Sequence, residues 1–100
     1  MIRHIVIWRL RENAHGNSKE ENARLIKEKL EELPKKITEL RQLEVGINFS
    51  QSENSSDVVL CTTFATREEL AAYQAHPDHR AVVPFILEAC SERRVIDYEN

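Results

Sequence analysis

Residues 2–10 of the chain run Ile-Arg-His-Ile-Val-Ile-Trp-Arg-Leu, and this stretch decides the fold. Its β-branched and aromatic side chains predict a strand. Side chains alternate between the two faces of a strand. One face should therefore carry Ile2, His4, Val6, Trp8 and Leu10, and the other Arg3, Ile5, Ile7 and Arg9. Both faces are apolar near the middle, which indicates that the strand is covered on both sides.

Two capping motifs predict where helices begin. Ser18 is followed three residues later by Glu21, the spacing of a capping box in which the glutamate reaches back to the helix start. Apolar residues follow at helical spacing, and Pro34 should end or kink this first helix. Its apolar stripe consists of Ala23, Ile26, Leu30 and Leu33. Thr66 and Glu69 repeat the motif before a second helical region.

Prolines should divide that second region. A short helix with Leu70 and Tyr73 is expected to stop at His76-Pro77, because a residue before proline avoids the helical conformation. Asp78 is predicted to cap a further helix, bent or interrupted by Pro84 within its first turns. The apolar residues of this last helix are Ala81, Val82, Phe85, Ile86 and Ala89.

Three more strands complete the predicted order. Apolar and polar residues alternate from Leu43 to Phe49, Gln51 to Asp57 form a polar hairpin loop, and Val58 to Phe64 form the next strand. Arg94 to Tyr98 give the last strand. The order β-α-β-β-α-β, with a split second helix, predicts an α+β ferredoxin-like fold with a four-stranded antiparallel sheet. One domain should span residues 1–100.

The predicted helices suffice for only one face of this sheet. The other face, with Ile5 and Ile7 at its centre, should be covered by the sheet of a second copy, which gives a homodimeric α/β barrel. Arg3 and Arg9 would then lie near the barrel ends, where they reach water or acidic partners.

Composition excludes several functional classes. Apolar residues make up 41% of the 100 residues, charged residues 31%, and the net charge is −3, which argues against nucleic acid as a partner. No wholly apolar run exceeds four residues, so neither a signal peptide nor a membrane span is predicted. Cys61 and Cys90 lack the spacing of a zinc site or a disulfide framework, which predicts a cytoplasmic protein.

The chain resembles the stress-responsive A/B barrel (Dabb) family over essentially its whole length. The segments that carry the resemblance are Met-Ile-Arg-His-Ile-Val-Ile-Trp-Arg-Leu at 1–10, Leu-Glu-Val-Gly-Ile-Asn at 43–48, Thr-Phe at 63–64, Tyr73, His76-Pro77-Asp78-His79 and Val-Ile-Asp-Tyr at 95–98. The more specific part is a basic residue and His4 in the opening strand with a later His-Pro-x-His. The resemblance implies a homodimeric α+β barrel.

It also implies candidate site residues. A plant polyketide cyclase of the family forms olivetolic acid by aldol condensation without cofactor or metal, and its functional histidines and tyrosine match His4, His79 and Tyr73. A second pocket tyrosine of that enzyme falls on Ile26, and a leucine falls on Trp8. Both differences predict a smaller and less polar pocket, and no cofactor is implied.

The residues themselves allow a similar site. His4 shares a strand face with Val6 and Trp8, and the break at Pro77 would let His79 turn toward that face, with Tyr73 at the edge. A neutral imidazole there could take a proton from a carbon acid. The expected pocket adds Ile26 and His76 to these residues. Against this, a histidine on an apolar face is commonly a hydrogen-bonded structural residue, and His76 at a helix end favours capping.

A metal site is not expected, because Pro77 breaks the helix that would align His76 and His79. Three functions remain open. The first is a barrel protein that binds a small apolar or carbonyl ligand without chemistry. The second is a cofactor-independent cyclase or lyase that uses His4 and His79. The third is a cofactor-free monooxygenase, by analogy of fold alone. An open cavity shared by the two histidines would distinguish an enzyme from a filled barrel.

Overall fold

The computed structural model describes all 100 residues. The chain forms six strands and three α-helices. The strands are β1 (Ile2–Leu10), β2 (Asn13–Ala14), β3 (Asn17–Ser18), β4 (Gln42–Ile47), β5 (Val58–Phe64) and β6 (Cys90–Glu99). The helices are α1 (Lys19–Glu31), α2 (Arg67–Ala75) and α3 (Pro77–Ala89), with a 3₁₀ turn at Leu33–Lys35.

Four strands form one antiparallel sheet in the order β4-β5-β1-β6, and β2 and β3 form a separate two-stranded hairpin. The predicted ferredoxin-like fold is therefore confirmed. Strand β1 lies in the interior of the sheet, and its register pairs His4 with Thr62 of β5 and with Asp97 of β6. This register brings the last ten residues of the chain beside the first ten.

Burial along β1 follows the predicted alternation. Ile2, His4, Val6, Trp8 and Leu10 are all buried beneath the helices, whereas Ile7 on the opposite face is exposed. The helices therefore cover one face only. The uncovered face retains apolar side chains, among them Ile7 on β1 and Ile96 and Tyr98 on β6.

Both helix starts were predicted correctly, and one detail was wrong. The hydroxyls of Ser18 and Thr66 accept hydrogen bonds from the backbone N–H groups of Glu21 and Glu69 at 3.2 and 3.1 Å. The carboxylate of Glu69 accepts from the backbone of Ala65, as a capping glutamate should. The carboxylate of Glu21 instead pairs with Arg24 one turn along, because that guanidinium offers a stronger, charged donor.

The break at Pro77 is confirmed, because α2 ends at Ala75 and α3 begins at Pro77. The predicted cap at Asp78 is wrong: His76 holds the N-cap position, and its Nδ1 accepts from the backbone N–H of Asp78 at 3.1 Å. Proline at the first helical position explains the shift, since its fixed φ suits the helix start. Pro84 lies inside α3 without interrupting it.

Two strand boundaries also differ from the prediction. Strand β4 ends at Ile47 rather than Phe49, whose side chain is 99% exposed. The amide of Asn48 donates to the carbonyls of Ser50 and Ser56 at 2.6 and 2.8 Å, which turns the chain out of the sheet. Strand β6 starts at Cys90, four residues early, because it pairs with β1 along its whole length.

Candidate functional site

His4 is held rigidly on the covered face of β1. Its ring is buried, and Nδ1 is hydrogen-bonded to the carboxylate of Asp97, its cross-strand neighbour on β6. A carboxylate only accepts, so Nδ1 of His4 donates to Asp97 and the orientation of the ring is set by this bond. The hydroxyl of Thr62 donates to the backbone carbonyl of His4 at 3.0 Å and fixes the strand behind the ring.

His79 lies in the first turn of α3, where the break at Pro77 lets it face back toward α2. Its Nδ1 contacts the carbonyl of Gln74 at 3.2 Å and donates to it, which leaves Nε2 with a free lone pair. Burial lowers the pKa of His79; the bond to Gln74 opposes this, and the nearby charges of His4, Arg93 and Arg80 lower it further. The neutral form, which can accept a proton, is thus favoured.

Tyr73 lies between the two histidines. Its ring centroid is 4.6 Å from that of His79, 6.4 Å from that of His4 and 5.1 Å from that of Phe64. The side chain is fully buried, and its hydroxyl has no hydrogen-bond partner. Burial raises the pKa of Tyr73 to about 12, so the hydroxyl remains a protonated donor at neutral pH.

A cavity of about 250 Å³ lies between the sheet and α3 and includes all three of these residues in its walls. Most of the lining is aliphatic. Its residues are His4, Val6, Trp8, Leu30, Leu60, Tyr73, His79, Val82, Val83, Ile86, Leu87 and Arg93. The indole Nε1 of Trp8 is a second buried donor without a partner. An apolar chamber with a few polar groups is typical of a small-molecule site.

Two residues expected in the pocket lie elsewhere. Ile26 is fully buried in the core beneath α1, because its place in the apolar stripe faces the sheet rather than α3. His76 is outside the cavity lining, since its ring is used to cap α3. The other five predicted residues do line the cavity: His4, Val6, Trp8, Tyr73 and His79.

Two further polar residues of the site were missed in the sequence. Asp97 and Arg93 both lie on β6, and each reaches the site because β6 pairs directly with β1. The sequence did contain a signal for both residues. Arg93 and Asp97 lie on either side of Val95 at alternate positions of the strand, so all three side chains should point to the same face of the sheet. The missing information was the register, which aligns Asp97 with His4 and Arg93 with Trp8.

The remaining candidates show no assembled site. Cys61 and Cys90 are both free, and burial, followed by the charge of Glu44, raises the pKa of the Cys61 thiol, which disfavours the reactive thiolate. No three His, Cys, Asp or Glu side chains are grouped so that they could hold a metal ion. None of the helices is both long and apolar enough to cross a membrane.

Fold and site together define a ferredoxin-like α+β protein with a small chamber flanked by two histidines. The family model of the stress responsive A/B barrel domain (Dabb) matches residues 2–100, and the chain belongs to this family. A dimeric protein of unknown function and ferredoxin-like fold from Bacteroides fragilis is 31% identical, with a TM-score of 0.88 over 99% of this chain and 95% of that chain. Among curated proteins, no significant match was found.

Two enzymes share the fold at lower identity. The hydroxynitrile lyase from Passiflora edulis is 16% identical, with a TM-score of 0.81 over 97% of this chain and 90% of that chain. An antibiotic biosynthesis monooxygenase is 13% identical, with a TM-score of 0.70 over 100% and 98%. At such identities the likeness concerns the fold alone, so the two activities do not decide between the alternatives.

Proposed function

We propose that this protein binds a small apolar carbonyl compound in the chamber and transfers a proton on it without a cofactor, with His79 as the base. One observation carries the proposal: His4, Tyr73 and His79 line the same 250 Å³ cavity between sheet and helices. A barrel that served only as a scaffold would have no need to leave this space unfilled, because protein interiors are otherwise close-packed.

His79 and Tyr73 have different chemical roles in this proposal. The Nε2 lone pair of His79 takes a proton from the carbon beside the carbonyl, and the C–H electron pair moves into the carbonyl to form an enolate. The hydroxyl of Tyr73, which has no protein partner, donates to the carbonyl oxygen, where negative charge develops. His4, oriented by Asp97, is a second fixed imidazole on the opposite side of Tyr73.

Hydrogen exchange tests this chemistry without knowledge of the natural substrate. The protein is incubated in D₂O with 2-octanone, and incorporation of deuterium beside the carbonyl is followed by NMR. Positioned general bases contribute about 10²–10⁴ in rate. We expect catalysed exchange in the unsubstituted protein and its loss in His79→Ala.

The matched control for this experiment is His76→Asn. It removes a neighbouring imidazole that lies outside the cavity and keeps a side chain able to cap α3. Exchange at the normal rate in His76→Asn is expected. If 2-octanone binds but exchange is no faster than without protein, the ligand-binding function without chemistry replaces the proposal. Exchange that persists in His79→Ala would contradict the role of His79.

We further propose that two copies associate through the uncovered face of the sheet. In its middle, Ile96, Ile5 and Cys61 form one cross-strand row and Ile7 and Val59 belong to the next. Ile96 on the edge strand β6 is 59% exposed and Ile7 on the interior strand β1 is 37% exposed, so this face presents large apolar side chains to solvent. The relative from Bacteroides fragilis is described as dimeric.

Ile7→Asp tests the dimer, because it would bury a charge without a partner in the interface. Sedimentation should show a dimer at micromolar concentration for the unsubstituted protein and a monomer for the variant. Leu87→Asp is the control: it places the same charge on an exposed leucine of the helical layer and should leave the dimer intact. An unsubstituted protein that sediments as a monomer would refute the proposal.

A further inference from the structure

Trp8 and Arg93 form a polar pair at one end of the chamber. They are direct cross-strand partners of β1 and β6, so their side chains leave the same face of the sheet side by side. Both contribute to the cavity lining. Trp8 is 4% exposed, whereas Arg93 belongs to the exposed edge strand. The pair therefore joins the interior of the chamber to solvent.

Neither member of the pair has a partner within the protein. The indole Nε1 of Trp8 is buried and makes no hydrogen bond, so the cost of removing this donor from water is not offset within the protein. Arg93 takes part in none of the ion pairs of the chain, although its neighbour Arg94 pairs with Glu92 on the other face. The chamber contains no acidic lining residue, so the guanidinium is its only permanent charge.

We propose that Trp8 and Arg93 bind the carboxylate of the substrate, which makes the substrate a small apolar oxo acid rather than a neutral ketone or aldehyde. The guanidinium supplies charge and a fork of donors that matches a planar carboxylate, and the indole N–H supplies one more. The proposal depends on the proposed function for the position of the carbonyl, between Tyr73 and His79.

The layout of the chamber fits a molecule with these parts. The carboxylate would lie at the exposed end beside Arg93, where it keeps part of its hydration. The apolar tail would contact Leu30, Leu60 and Ile86, which are among the aliphatic walls. One guanidinium and one neutral donor suit a singly charged group, whereas phosphate sites are commonly built from several backbone N–H groups and cations.

A matched pair of probes isolates the carboxylate. 2-Oxooctanoate and 2-octanone differ only in a carboxylate against a methyl group beside the carbonyl. Trp8 is the only tryptophan of the chain, so its indole N–H gives one resonance in a ¹⁵N-labelled sample. We expect 2-oxooctanoate to bind about 10–100-fold more tightly than 2-octanone and to move this resonance downfield, in line with a charged hydrogen bond.

Arg93→Gln should remove most of this preference, and Trp8→Phe should reduce it by a smaller factor. Arg80→Gln is the control, because Arg80 also lowers the pKa of His79 but does not line the chamber. The preference should persist in Arg80→Gln. Equal affinities for the two probes, or a preference unchanged in Arg93→Gln, would overturn the inference.

Binding and exchange separate this inference from the proposed function. Exchange on both probes without preference for the acid would leave the proton-transfer function standing and refute the carboxylate site. Preference for the acid without exchange on either probe would support the carboxylate site and refute proton transfer.

Discussion

The two halves of the helical layer differ in how they meet the sheet. Beneath α1 and the 3₁₀ turn the space is filled by aliphatic side chains, with Ile26, Leu33 and Ile37 all at most 1% exposed. Beneath α2 and α3 the sheet meets histidines, a tyrosine and a tryptophan around a cavity. The same sheet and the same chain thus support one close-packed half and one half with a chamber.

Buried polar groups show the same contrast. In the α1 half, Asn22 is fully buried, and its amide donates to the carbonyl of Ala14 at 2.9 Å while its oxygen accepts from Asn17 at 3.3 Å. In the other half, the donors of Tyr73 and Trp8 have no partner. A buried donor without a partner costs about 1–3 kcal/mol. The half that carries this cost is the half in which we propose that the ligand binds.

The largest expected effect is on packing. Ile26→Ala should lower the free energy of unfolding by about 2–5 kcal/mol, because it opens a void in a filled region. Ile86→Ala removes the same atoms from the chamber wall and should cost less, since one side of Ile86 already faces a cavity. Urea unfolding of the two variants measures the difference. Equal losses would mean that the two halves are packed alike.

A smaller effect should distinguish satisfied from unsatisfied polar groups. Asn22→Ala leaves the Ala14 carbonyl and the Asn17 amide without their partner and should cost about 1–3 kcal/mol. Tyr73→Phe removes a hydroxyl that has no partner, so stability should stay equal or rise. Exchange on 2-octanone should nevertheless fall in Tyr73→Phe. A clear loss of stability in Tyr73→Phe would show that the hydroxyl is bonded in solution.

The smallest effect concerns pH. Burial lowers the pKa of His79, so the base form should predominate at a pH where an ordinary histidine, with a pKa of about 6.5, is half protonated. The exchange rate should rise with pH to a midpoint below about 6.5. A midpoint above that value would contradict the assignment of His79 as a buried base.

The same shift has a consequence for stability. The unfolded chain binds more protons at His79 than the folded chain does. The contribution of His79 to the free energy of unfolding is therefore complete above the pKa that this residue has in the unfolded chain. This contribution is lost as the pH falls through the pKa of His79 in the unfolded chain and then through its lower pKa in the folded chain. Melting temperatures measured downward from pH 7 should therefore fall less in His79→Gln than in the unsubstituted protein.

Local patterns were sufficient for the fold. Alternation in residues 2–10 predicted the buried face of β1, and the hydroxyls of Ser18 and Thr66 cap helices as expected. These features depend on neighbours within a few residues, which a sequence displays directly. The errors at Asp78 and Phe49 are also local. In each case one side chain, that of His76 or Asn48, supplied a hydrogen bond that ended the element early or moved its start.

The sequence by itself determined which residues face the helices and that Pro77 separates α2 from α3, because both follow from backbone sterics and side-chain alternation. Only the tertiary structure decided which of these residues share a chamber. It put Ile26 and His76 outside, and by pairing β6 with β1 it brought Arg93 into the chamber lining and Asp97 against the ring of His4. The physical reason is that strand register is set by pairing between segments about ninety residues apart, so it cannot be predicted from the pattern of neighbouring residues.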